Sequence, residues 1–153
     1  MKLGLKAPAF SLQDQKGVVH KLSNYAGSWV LLYFYPKDDT PGCTVEACTI
    51  RDQWPAFKKL KIHVFGISGD SAASHEKFVK KFDLPFTLLS DPDRKIIDAY
   101  GALKEKSMYG KKFIGIVRMS VLVNPQGKVA KIYEKVKPAE HAEEVLSDLK
   151  GLL

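Results

Sequence analysis

Residues 29–35 read WVLLYFY, seven apolar or aromatic residues with no polar break. The run is too short for a helix and is rich in aromatics, which favour extended backbone. A strand apolar at every position must be covered on both faces, as the central strands of an α/β sheet are. Any fold for this chain therefore needs a sheet with packed layers above and below that segment.

The remaining segments supply those layers. IHVFGIS (62–68) is a second buried strand, and SAASHEKFVKKF (71–82) an amphipathic helix with Phe78, Val79 and Phe82 on its inner side. PFTLLSDPD gives a short strand and a turn, and RKIIDAYG a short helix closed by Gly101. A basic loop follows. RMSVLVNPQGKVAKIYE reads as two antiparallel strands joined at Asn124–Gly127, and PAEHAEEVLSDLKGLL as a final helix opening at Pro138. Near the start, the alternation around Asp14–Gly17 predicts a β-hairpin. The order β-α-β-α-β-α-β-β-α implies a mixed central sheet flanked by helices, and 153 residues suit one domain, 1–153.

The segment TPGCTVEAC (40–48) follows the central strand and holds both cysteines, five positions apart. Thr40 then Pro41 is a helix-start signal, a side-chain oxygen for an orphan N–H and a residue with φ already set. The helix is expected to run through CTVEACTIRDQW and to break or restart at Pro55. Two cysteines in one helix can be no more than small buried hydrophobes. Three local features favour reactivity. Cys43 falls in the first turn, where free N–H groups and the helix dipole favour a thiolate. Gly42 allows close approach, and the Thr40 hydroxyl can donate and accept beside the sulfur. A strand end feeding a helix N-terminus is also where α/β sheets place ligands.

The spacing of the pair is informative. Five helical residues separate the two Cα atoms by roughly 8.7 Å, whereas a disulfide wants them within about 7 Å. The helix must unwind locally before Cys43 and Cys48 can join, and such openings are routine at low-stability segments. The thiols stay apart until oxidation, after which the segment opens and the second sulfur captures the first.

Composition narrows the alternatives. Two cysteines do not staple a small secreted fold, and with four scattered histidines (His20, His63, His75, His141) they lack metal-ligand spacing. An iron–sulfur cluster needs more thiolates, so no metal and no cofactor is expected. The net charge of +7 is spread over short separate stretches, which argues against nucleic-acid binding as the main function and suits an acidic partner. No stretch reaches the apolar length of a membrane span, and MKLGLKAPAF lacks the apolar core of a secretory signal, so a cytoplasmic location and no membrane association are expected.

PKDDTPGCTVEAC resembles the peroxiredoxin active-site pattern P-x-x-x-T-x-x-C, here Pro36, Thr40 and Cys43. The cysteine five positions on resembles the bacterioferritin-comigratory-protein or Q-type branch. LGLKAPAFSLQDQKG, GISGDS, FTLLSDPD and GIVRMSVLVNPQGKV extend the likeness over nearly the whole chain. The resemblance implies a thioredoxin-like fold with an N-terminal hairpin extension. It also implies reduction of hydrogen peroxide and organic hydroperoxides, with recycling by thioredoxin or a similar dithiol reductant. By the same resemblance Cys43 is the peroxidatic and Cys48 the resolving cysteine. Arg118 matches the active-site arginine, with Thr40 and Gly42 beside it in binding substrate. Glu46 falls where many members carry a supporting carboxylate, and Met119 replaces a smaller or branched residue. A monomer is expected, since resolution within one chain needs no partner. Two other readings remain at this point: a dithiol–disulfide oxidoreductase, though C-x-x-C is absent, and a basic nucleic-acid-binding or holdase protein.

Overall fold

The computed structural model describes residues 1–153. The apolar run becomes strand β3 (Val30–Phe34), buried at every position. Before it come β1 (Ser11–Asp14) and β2 (Val19–Lys21), and after it α1 (Pro41–Asp52), α2 (Trp54–Lys59), β4 (His63–Ser68), α3 (Ala72–Phe82) and β5 (Thr87–Ser90). The chain continues through α4 (Lys95–Ala99), β6 (Leu103–Met108), β7 (Lys111–Ile116), β8 (Met119–Val123), β9 (Val129–Tyr133) and α5 (His141–Leu152).

Seven strands form one mixed sheet in the order β2-β1-β5-β4-β3-β8-β9. The three central strands β3, β4 and β5 are parallel, while β8 and β1 join them antiparallel. Alternation along β3 divides the core. Leu31, Tyr33 and Tyr35 face one side with Cys43, Ala47 and Ile50 of α1, Phe57 of α2, Phe78 of α3 and Val145 and Leu149 of α5. Val30, Leu32 and Phe34 face the other, with Ile97 of α4 and the N-terminal residues Ala7, Phe10, Leu12 and Leu22. Helices thus cover both faces, four on the first and one short helix plus the N-terminal segment on the second. None is long and apolar enough to cross a membrane.

Several expected details hold. Asp14 Oδ1 accepts from the N–H groups of Lys16 and Val18 and closes the N-terminal hairpin. Gln53 separates α1 from α2, where Pro55 has no N–H to continue the ladder. Two details differ. Residues 103–116, expected as a basic loop, form the β6–β7 hairpin with its turn at Tyr109–Gly110, both at positive φ. Most of this hairpin is exposed, so no apolar alternation marks it in the sequence. Helix α5 begins at His141, because Lys137–Glu140 close a turn in which Lys137 O accepts from the N–H groups of both Glu140 and His141.

Candidate active site

The parallel strands run toward the N-terminus of α1, and β3 ends one short loop before it. Pro41 occupies the first position of the helix, so Cys43 lies in its first turn. The cysteine is 2% exposed, and its side chain belongs to the core between α1 and the sheet. Cys48, further along the same unbroken helix, is half-buried, and both thiols are free.

Arg118 immediately precedes β8, whose Met119 pairs with Phe34 of β3. This register delivers the guanidinium to the helix N-terminus. Its Nη2 donates to Cys43 Sγ at 3.3 Å and its Nη1 to Glu46 Oε1 at 2.9 Å. Two ends of one planar group are thereby fixed, which the point charge of lysine cannot reproduce. Glu46 is one helical turn from Cys43 and fully buried. Burial pushes its carboxyl up to about 7 against the pull of Arg118. Its second oxygen, Oε2, has no hydrogen-bond partner, nor has the buried hydroxyl of Tyr33.

Gly42 lies directly against the Arg118 guanidinium. A Cβ there would lie 2.9 Å from Arg118 Nη2, in the space the guanidinium occupies. The same Cβ would be 3.9 Å from the Pro138 ring, and Pro138 O accepts from Thr49 Oγ1 of α1 at 3.2 Å. The segment before α5 is thus tied to the helix that carries both sulfurs.

Cys43, Gly42, Glu46 and Arg118 are therefore brought together. Pro36 and Thr40 lie on the loop between β3 and α1, both half-buried. Thr40 is the N-cap residue, but its side chain does not cap the helix. Its hydroxyl donates instead to Lys37 O at 2.9 Å, which leaves the oxygen lone pairs as acceptors. Two neighbours escaped the sequence reading. Lys106 of β6 is held below the usual lysine range by burial and by Arg118, with an opposing pull from Cys43. Its ammonium therefore shares the electrostatic field of the site, yet nothing in a surface-like sequence such as LKEKSM announces it. The other is an ionic cluster around His75, whose separation from Asp38 by 37 positions hides the pairing. A cavity of about 360 Å³ lined by Trp54, His63 and Phe86 lies at the opposite ends of the parallel strands, away from Cys43.

The chain's relationships accord with this geometry. Residues 3–132 match the AhpC/TSA family. Peroxiredoxin Bcp of Bacillus subtilis is 42% identical over 152 residues, 99% of this chain and 97% of the relative. Peroxiredoxin Bcp of Escherichia coli is 43% identical over 150 residues, 98% and 96% of the two chains. Among solved structures, the Xanthomonas campestris bacterioferritin comigratory protein, described by its alkyl peroxide reduction activity, superimposes with a TM-score of 0.92 at 39% identity, covering 99% of both chains. Xylella fastidiosa PrxQ gives 0.93 at 36% identity over 99% and 97%. The fold is accordingly thioredoxin-like, and the chain belongs to the AhpC/TSA family, among its Bcp/PrxQ peroxiredoxins.

Proposed function

We propose that this protein is a thiol peroxidase in which Cys43 attacks a hydroperoxide and Cys48 resolves the product. The observation that carries the reading is the Arg118 guanidinium, held between the Cys43 sulfur and the buried Glu46 carboxyl. The family relationship supplies the peroxidase activity, and the geometry supports the assignment of roles.

The thiolate of Cys43 attacks the nearer oxygen of the O–O bond. An S–O bond forms, the O–O bond breaks, and the departing oxygen takes a proton to leave as water or alcohol. Cysteine sulfur is oxidised and the peroxide reduced. The thiol of Cys48 then condenses with the sulfenic acid, expelling water and forming the disulfide. Thioredoxin or a similar dithiol returns both sulfurs to thiols at its own oxidation.

Ionisation alone falls short of a peroxidase. A thiol of ordinary pKa is about 3% ionised at pH 7, so complete ionisation gains at most roughly 30-fold, or about 2 kcal/mol. The rest comes from aligning the O–O bond with the sulfur and stabilising charge on the departing oxygen. Arg118, Thr40 and the first-turn N–H groups of α1 are the donors assigned to this, with Gly42 admitting the substrate and Pro36 shielding the sulfur. Glu46 fixes the arginine. No step in this scheme calls for a metal or an organic cofactor. Residues 1–153 suffice as one domain and as a monomer, because both sulfurs reside in one helix. A pair of thiols that must be reduced each cycle suits the cytoplasm.

One equivalent of hydrogen peroxide added to the reduced protein should yield a Cys43–Cys48 disulfide and a mass loss of two hydrogens. Cys43→Ser should consume no peroxide. Cys48→Ser should oxidise once and then stall in thioredoxin-linked turnover. Normal turnover by Cys43→Ser would overturn the nucleophile assignment.

A further inference from the structure

The loop carrying Pro36 and Thr40 makes few main-chain hydrogen bonds of its own. Tyr35 N donates to Ile67 O and Thr44 N to Thr40 O, and between them the chain passes through Asp39 at φ 54, a left-handed conformation. Something else must fix its path. Asp38, in its middle, is buried although it is a loop carboxylate.

Every polar group around Asp38 is matched. Its Oδ1 accepts from the Tyr35 hydroxyl at 2.6 Å, and its Oδ2 from Ser74 Oγ at 2.8 Å. His75 Nδ1 lies 2.7 Å from the same Oδ2, and His75 Nε2 is 2.9 Å from Leu89 O. A carbonyl only accepts, so Nε2 carries a hydrogen. The 2.7 Å contact between Nδ1 and Oδ2 needs a hydrogen between them, so both ring nitrogens are held, with the side chains 0% and 4% exposed. Burial keeps the Tyr35 phenol well above its ordinary range and therefore a donor. On the main-chain side, Asp38 N donates to Asp70 Oδ2 at 2.8 Å, and Asp70 is held in turn by Ser68 Oγ at 2.7 Å.

Asp38, Asp70 and His75 have the residue types of a metal site, with ligand atoms within 4.8 Å of one another. Both oxygens of Asp38, Oδ2 of Asp70 and both nitrogens of His75 already have protein partners, so the cluster is a clamp and not an open ligand set. It joins the loop to β4, β5 and the first turns of α3. None of those elements contains a reactive cysteine.

We propose that the buried Asp38–His75 pair is the positioning device for the peroxide-binding loop, holding Pro36 and Thr40 in place through the whole redox cycle. The inference rests on the thiol-peroxidase reading and adds a division of labour to it. Helix α1 unwinds to let Cys48 reach Cys43, while the loop before it stays anchored to elements that do not move. His75 touches no substrate. It acts through Asp38, and Asp38 through the backbone of residues 36–40.

The pair should therefore govern the peroxide step and leave disulfide closure alone. In stopped-flow experiments on the full-length reduced protein, His75→Gln should slow oxidation of Cys43 by hydrogen peroxide about tenfold or more, as expected of a small misplacement of binding groups. The later closure of the Cys43–Cys48 disulfide, followed by rapid quench and mass analysis, should stay within about twofold of the parent. Equal slowing of both steps would reduce the pair to a structural role, and an unchanged oxidation rate in folded protein would overturn the proposal. Should His75→Gln fail to fold, Ser74→Ala carries the test. It removes one donor to Asp38 and should slow the same step roughly threefold, below the full clamp's effect. No slowing there overturns the proposal too. Failure of the parent reading is distinct: unmodified protein would then form no Cys43–Cys48 disulfide with one equivalent of peroxide.

Discussion

Two buried ionic clusters lie near the start of α1, and they are built on opposite rules. Around Asp38, both carboxylate oxygens and both nitrogens of His75 have partners between 2.6 and 2.9 Å. Around Arg118, Glu46 Oε2 has no partner, Tyr33 has an idle hydroxyl, and the sulfur of Cys43 receives a single contact at 3.3 Å. A buried polar network with every valence met is rigid, whereas one with spare capacity is ready to take another group. The first cluster is scaffold. The second leaves buried polar capacity unmet beside the sulfur.

The comparison is sharpest at Glu46. Its carboxyl is raised from 4.5 to about 7, chiefly by burial. An acid raised on folding stabilises the protein most where it is neutral, below its unfolded value. That stability is lost as pH climbs through the folded value. Between about pH 4.5 and 7, Glu46→Gln should gain stability relative to the parent, by on the order of 3 kcal/mol at the upper end. Denaturant titrations of both proteins across that window measure it. A pH-independent difference would mean that Glu46 is ionised throughout, and the contrast between the clusters would disappear.

Arg118→Lys probes the same cluster from its cationic side. The charge persists, but one ammonium cannot span both Cys43 and Glu46, so peroxide oxidation of Cys43 should fall by about tenfold to a hundredfold. Gly42→Ala should act more gently, about tenfold, because the new Cβ at 2.9 Å pushes the end of a flexible side chain and not the backbone. Its thermal midpoint should barely move. A large stability loss would show that the guanidinium cannot yield, which makes the cluster stiffer than its unfilled valences suggest.

How far these clusters could be read from sequence depends on how local they are. The Cys43 turn is contiguous, so Pro41, Gly42 and the cysteine spacing reveal it, and the strand WVLLYFY fixes the sheet behind it. Arg118 was legible through family likeness alone, since an arginine before a strand otherwise means a solvated head group. The Asp38–His75 pair joins residues whose partners are set by the β3–β4–β5 order, and periodicity carries no such information. Thr40 was misread in detail. Its residue type and position match an N-cap, yet its hydroxyl turns back to Lys37, so the orphan N–H groups at the helix start are not closed off by that side chain.

The β6–β7 hairpin was missed because its signals are chemical and not hydrophobic. Its turn places Tyr109 at φ 51 and Gly110 at φ 77, the pair of left-handed residues that an Asn-Gly turn provides at lower strain. Tyr109 is 97% exposed, so its ring has no packing to lose. Tyr109→Asn should therefore stabilise the hairpin by a few tenths of a kcal/mol up to about 1 kcal/mol, visible as slower amide exchange in residues 103–116. The effect on peroxide oxidation decides what the hairpin is for. Lys106 lies in its first strand and shares the field of Arg118 and Cys43. If a stiffer hairpin leaves the rate unchanged, Lys106 is already held in place by the body of the protein. A shifted rate would make the hairpin a third, mobile participant, and the contrast between a finished clamp and an unfinished site would have to include it.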